Sequence, residues 1–164
     1  MKKELPYYYN VEVGWTGKRK SIVSGPNLPV LQVAAPPEFD GEEGSWTPEH
    51  LYVASVGVCF MTTFLAIAQV SRLAVVSLTV LAKGRLDRIA GVGFQVTEIV
   101  LTPRLVVSSS RDLERAAAIL QKAEKNCLIS NSVKTKVRLE PEIYSNQTPA
   151  YPCPPIAAAE AFKS

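Results

Sequence analysis

The side chains best suited to covalent chemistry are two cysteines 68 positions apart, Cys59 and Cys127. A thiol acts as a nucleophile where its thiolate is stabilised and as a small hydrophobe where it is not. Cys59 lies inside a run from Leu51 to Ser71 that contains no charge, with Ser55, Val56, Thr62, Thr63 and Ala66 as its helical neighbours. That stripe of small side chains leaves room for a ligand or another backbone; a lone cysteine there otherwise reads as a buried hydrophobe. Cys127 falls where a helix gives way to a polar turn, a place where reactive groups are presented. Metal binding does not unite the pair. CxxC spacing is missing, and the single histidine, His50, precedes Cys59 by nine residues, about half a turn out of phase on a helix. A working thiol needs a cation nearby, and Lys18 and Arg19, in the first hairpin turn, are the candidates; a solvated loop is the competing reading of that turn. Glu49 would oppose a thiolate unless it holds a cation in place. It precedes Cys59 by ten residues, roughly 15 Å along a straight helix, so cooperation would require a bend or Glu49 of the partner subunit.

The elements that must position these groups are legible in outline. Tyr7–Trp15, Lys20–Ser24 and Leu28–Ala34 read as three short antiparallel strands separated by turns at Thr16-Gly17-Lys18 and Gly25-Pro26-Asn27. A Pro- and acid-rich loop from Pro36 to Gly44 follows. Thr47 is suited to cap a helix, with Pro48 at its first position and Glu49 in its first turn. That helix is apolar or small on every face, so burial on all sides is expected. After it come a β-branched run at Leu73–Lys83, a turn at Asp87–Gly91 and a long strand at Val92–Val107, bent or interrupted at Pro103. A second helix, capped at Ser109 or Ser110, carries Leu113, Ala116, Ala117, Leu120 and Ala123 as its apolar stripe and ends at Asn126-Cys127. A polar turn, Ser130-Asn131-Ser132, leads to a last strand, Val133–Leu139. The order βββ–α–ββ–α–β defines an α+β fold. One domain over 1–144 is expected, then a Pro- and Ala-rich tail over 145–164 that includes Cys153, read as a bystander.

Composition narrows the function classes. The 164 residues suffice for one core, and a net charge of +3 with interspersed signs gives no reason to expect nucleic acid or anionic lipid as partner. Without an N-terminal apolar region of signal type, and with three widely spaced cysteines, a reducing cytoplasm is the expected compartment. The uncharged run of 21 residues is long enough to span a bilayer. Its Ser55, Thr62, Thr63 and Gln69, and the missing aromatic and basic girdles, favour a buried helix instead. One meander and one small sheet cover only part of such a helix, so a homodimer is the physical expectation.

WTPEHLYVASVGVCF resembles the PE-L-x-A-A-x-x-x-C-F signature of the OsmC/Ohr family of peroxide-reducing proteins, AEKNCLISNSV resembles the family's second cysteine motif, and Pro36-Pro37-Glu38-Phe39-Asp40-Gly41 is similar to its segment before the helix. The resemblance covers roughly residues 8 to 142. It implies an intertwined homodimer with interface active sites that reduces hydroperoxides, organic ones especially. It also implies roles: Cys59 as the peroxidatic thiolate, Cys127 as the thiol that resolves its sulfenic acid into a disulfide, and Glu49 orienting a basic residue, Arg19 or alternatively Lys18. No cofactor is implied beyond an external dithiol reductant. This chain departs from the pattern at Leu128, where many members have proline, and at the basic position, where a gapless comparison places Lys18 with Arg19 next to it. A dimeric protein binding a hydrophobic small molecule, with idle cysteines, is the alternative from a different class.

Overall fold

The computed structural model describes residues 5–146, which divide into two compact units, one running through Tyr52 and the other from Val53 onward. The expected tail, apart from its first two residues, and Cys153 lie outside the described residues.

In the first unit, alternation of Val and Trp with small polar residues produces β1 (Glu12–Gly17), which pairs with β2 (Lys20–Ser24), which pairs with β3 (Leu31–Ala34), all antiparallel. β1 and β3 begin later than their β-formers suggest, at Glu12 and Leu31. Before β3 the chain is spent on a turn, with Asn27 left-handed (φ 61°) and the Leu28 amide bonded to the Gly25 carbonyl at 3.1 Å. The Pro- and acid-rich loop holds one 3₁₀ turn, Pro37–Phe39, closed by Asp40 at φ 59°. Gly41 then packs so tightly that a Cβ there would lie 1.6 Å from the Ala35 carbonyl oxygen, so only glycine fits. The loop ends at Trp46, whose carbonyl accepts the Ala34 amide at 2.9 Å. Thr47 caps the helix as expected: its hydroxyl accepts the His50 amide at 3.2 Å.

That helix, α1 (Pro48–Val70), buries a single stripe, Val56, Gly57, Phe60, Phe64 and Ala68. The stripe lies against β4 (Val75–Ile89), where Gly57 faces the Ala82 Cβ and a Cβ on Gly84 would come within 2.4 Å of the Val53 side chain. Burial on all sides is therefore not what the described chain supplies. Val58, Leu65 and Val70 are 61%, 43% and 87% exposed, because a single sheet covers one face of a helix.

β4 pairs antiparallel with β5 (Gly93–Val107) almost to the hairpin tip, so Asp87 to Ile89 are ladder residues rather than a turn. Gly91 and Gly93, at φ 76° and 103°, make the reversal instead. β5 is the central strand: on its other edge it pairs in parallel with β6 (Lys136–Leu139) and then with β7 (Glu142–Ser145). Pro103 interrupts nothing. The Leu101 carbonyl accepts the Glu140 amide at 2.9 Å, so two residues on, the proline's missing N–H falls on the same edge, where the chain passes from β6 to β7.

Ser109 accepts the Arg111 amide at 3.3 Å and opens a 3₁₀ turn, Ser110–Asp112, that feeds α2 (Leu113–Lys125). α2 buries Ala116, Ile119, Leu120 and Ala123. The expected polar turn after Cys127 is a short helix, α3 (Leu128–Ser132), with Cys127 as its extended N-cap residue.

Candidate functional site

Cys59 lies at the margin of the buried α1 stripe, one position before Phe60, and is half-buried; Cys127, between α2 and α3, is completely buried. Neither is in a disulfide. The fold brings them together across 68 residues of sequence. The Cys127 thiol acts on the Cys59 sulfur as a hydrogen-bonding neighbour, and the Ile129 N–H donates to the same sulfur at 3.4 Å. The Leu128 N–H and the Thr63 hydroxyl add two further donors. Amides in a first helical turn have no intrahelical acceptor, so α3 offers the sulfur donors already freed by its own geometry. Thr62, next to Thr63, is used otherwise, bonding back to the Val58 and Cys59 carbonyls at 3.0 and 3.1 Å.

These contacts divide the two thiols. Burial pushes the Cys59 pKa up, but the donors from Ile129, Cys127, Leu128 and Thr63 outweigh it and hold the thiol below its ordinary range. At Cys127 burial dominates and raises the pKa, and sharing its proton with Cys59 raises it further. Half-buried Cys59 is thus the sulfur that ionises first, with Cys127 as its proton-bearing neighbour. Hydrogen bonds to an ionised acceptor are roughly twice as strong as neutral ones, which is why several donors prevail over desolvation.

The remaining sequence candidates lie in the first unit. Lys18 and Arg19 form the two-residue loop between β1 and β2, with Lys18 exposed and left-handed at φ 47°. The Arg19 guanidinium donates to the Phe39 carbonyl and pairs with Asp40 at 3.4 Å. Lys20 holds Glu42 at 2.6 Å, which lowers the Glu42 pKa. Both contacts tie the hairpin to the loop before α1. Glu49 has one carboxylate oxygen, Oε2, buried with no hydrogen-bond partner among the described residues, so neither Lys18 nor Arg19 of this chain bonds that atom. His50 is engaged locally, its Nδ1 2.9 Å from the Thr47 hydroxyl and its ring edge-on to Trp46. Among the described residues no cluster of metal-ligating side chains occurs.

Sequence reasoning did not anticipate the donors at Cys59. Thr63, four residues on, was visible as a helical neighbour, but the Leu128 and Ile129 amides carry no side-chain signature. They became donors only because a helix, not a turn, follows Cys127.

A long helix bearing a half-buried thiol, packed on a sheet whose return segment carries a second thiol, defines a class of two-cysteine α+β proteins. The chain belongs to the OsmC-like protein family, whose model matches residues 41–142. Among solved structures, an OsmC-like protein of unknown function from Vibrio cholerae is 28% identical, with a TM-score of 0.78, over 84% of this chain and 100% of that one. An organic hydroperoxide resistance protein from Elizabethkingia anophelis is 22% identical (TM-score 0.68; 87% and 100% covered). Another, from Legionella pneumophila, is also 22% identical (TM-score 0.66; 87% and 99% covered). At that identity the last two speak for the fold. No curated protein matches the chain.

Proposed function

We propose that the protein is a thiol peroxidase that reduces organic hydroperoxides, and possesses the same two-cysteine chemistry toward hydrogen peroxide. The observation that carries this reading is the contact between a half-buried Cys59 of lowered pKa and a buried Cys127 that shares its proton with it. An idle buried cysteine has no need of several converging donors. Membership of the family and the hydroperoxide resistance proteins among its structural neighbours support the same direction.

The chemistry follows in three steps. The Cys59 thiolate attacks the distal peroxide oxygen; the O–O bond breaks, the sulfur is oxidised to a sulfenic acid, and the leaving alkoxide takes a proton to become an alcohol. Cys127 then attacks the Cys59 sulfur. The S–S bond forms, the S–O bond breaks, and the departing hydroxide combines with the Cys127 proton as water. An external dithiol finally reduces the disulfide by exchange and is itself oxidised. No cofactor enters this cycle.

We place the protein in the cytoplasm. A second copy of the chain is proposed to cover the open face of α1, and the unpartnered Glu49 oxygen calls for a cation that Arg19 supplies only on leaving Phe39 and Asp40 or from the second copy; for its planar fork it is preferred to Lys18. Binding of a hydrophobic molecule with inert cysteines is the reading this one displaces.

The test is turnover of an alkyl hydroperoxide with a small-molecule dithiol as reductant. Wild-type protein is expected to consume peroxide catalytically, and Cys59→Ser to lose all of it. Equal consumption by wild type and Cys59→Ser would refute the proposal.

A further inference from the structure

We propose that Ser130 is a positioning residue for the resolving step, its hydroxyl bonding the Cys127 sulfur as that sulfur becomes the nucleophile. The inference rests on the peroxidase reading and adds a residue to it.

Ser130 follows Cys127 by three residues. Cys127 is the N-cap residue of α3 and Ser130 lies in its first turn, close enough for the Ser130 hydroxyl and N–H both to act on the Cys127 thiol. The Cys127 side chain is fully buried, and so is the Ser130 oxygen, which lacks a hydrogen-bond partner among the described residues. A buried hydroxyl without a partner is destabilising and rare, so its retention needs a reason.

The reason lies in the state of its neighbour. A neutral thiol is a weak acceptor, and the resting Cys127 uses its proton on Cys59. A thiolate is a strong acceptor. The Ser130 hydroxyl already acts on the reduced thiol, and it becomes a stronger donor as Cys127 takes on negative charge in the attack. The Ser130 side chain and backbone both act to lower the Cys127 pKa, against the burial that raises it.

The two sulfurs thus have separate donors. Ile129, Leu128 and Thr63 serve Cys59, whereas Ser130 serves Cys127. In the step itself the Cys127 proton leaves to the hydroxyl group departing from Cys59, water is released, and the Cys127 electron pair forms the S–S bond. Ser130 keeps its own proton throughout. It lowers the energy of the charge developing on Cys127 and is not consumed.

The experiment mixes reduced protein with one equivalent of an alkyl hydroperoxide at a series of pH values. It follows sulfenic acid by dimedone trapping and disulfide by mass. In Ser130→Ala, formation of the sulfenic acid is expected to stay within about twofold of wild type, while its conversion to disulfide slows about tenfold, the loss appropriate to one hydrogen bond to a charged group. The pH midpoint of that second phase is expected to move upward. Ser130→Thr, which keeps the hydroxyl, is expected to recover most of the rate. Resolution by Ser130→Ala at the wild-type rate and pH midpoint would overturn the role alone. Loss of both phases, unrescued in Ser130→Thr, would overturn it in favour of a purely structural serine. If wild type itself traps no sulfenic acid and forms no disulfide, the peroxidase reading fails and the role falls with it.

Discussion

At Cys59, burial and hydrogen bonding pull in opposite directions, and the outcome depends on donors that the sequence does not spell out. Leu128 makes the point. Its side chain is exposed, yet its N–H helps to lower the Cys59 pKa. Leu128 is the first residue of α3, and Cys127 before it is extended (φ −67°, ψ 114°), so proline fits at 128 sterically and removes only the donor. Leu128→Pro is expected to raise the Cys59 pKa and to slow alkylation of Cys59 at neutral pH by roughly tenfold, whereas Leu128→Ala leaves both unchanged. A peptide-resolved alkylation profile against pH checks this. Because the Cys59 pKa is lowered, reactivity in the wild type should persist below the range of an ordinary thiol and fall only on further acidification. A profile that matches a free thiol would contradict the donor account. The two cysteines themselves were legible as a pair only through their motifs, since nothing in their separation says that they touch. Ser130 was legible only as part of a polar turn.

Elements were easiest to read where local chemistry and tertiary demand agree. The Thr47 cap, the α1 start and β2 lie where capping and β-propensity put them. Misreadings arose where partners override local signals. Pro103 looked like an interruption, but it coincides with the gap between β6 and β7 on one edge of β5. β7 carries no sequence signal of its own, because it follows Pro141 closely and is too short to show a period, whereas β5 beside it fixes it in register. Gly84 tells the same story from the packing side: nothing in its neighbourhood marks it, yet it admits Val53 of α1 against the sheet. Gly84→Ala is expected to destabilise the fold by about 1–3 kcal/mol through overpacking. Much of that loss should return in the double variant with Val53→Ala, a coupling measurable in a denaturant double-mutant cycle. Additive losses would show that the two positions do not meet. Phe60→Ala, at a completely buried position of the same stripe, is expected to cost about 3–5 kcal/mol in the same assay.

For the molecule as a whole, the question is what covers α1. Its length and composition would allow it to cross a membrane, and its all-round apolarity suggested burial all round. The second unit covers one stripe and leaves Val58, Leu65 and Val70 open. A second copy is the occupant we propose, and Leu65→Glu, which sets a charge on that face, is expected to shift the protein to a monomer in sedimentation equilibrium. An unchanged mass, monomeric in both proteins, would remove the dimer from the account. Cys59 lies on the same helix, so the face proposed to take a partner and the thiol proposed to do the chemistry share one element.

The central claim is that Cys59 and Cys127 form one redox unit, and intact mass tests it most directly. Reduced protein would receive one equivalent of an organic hydroperoxide, followed by thiol counting and peptide mapping. The expected result is the loss of two hydrogen atoms, located in a Cys59–Cys127 disulfide and absent from Cys59→Ser. Survival of every thiol in excess peroxide would contradict it, and the hydrophobic-ligand reading would take its place.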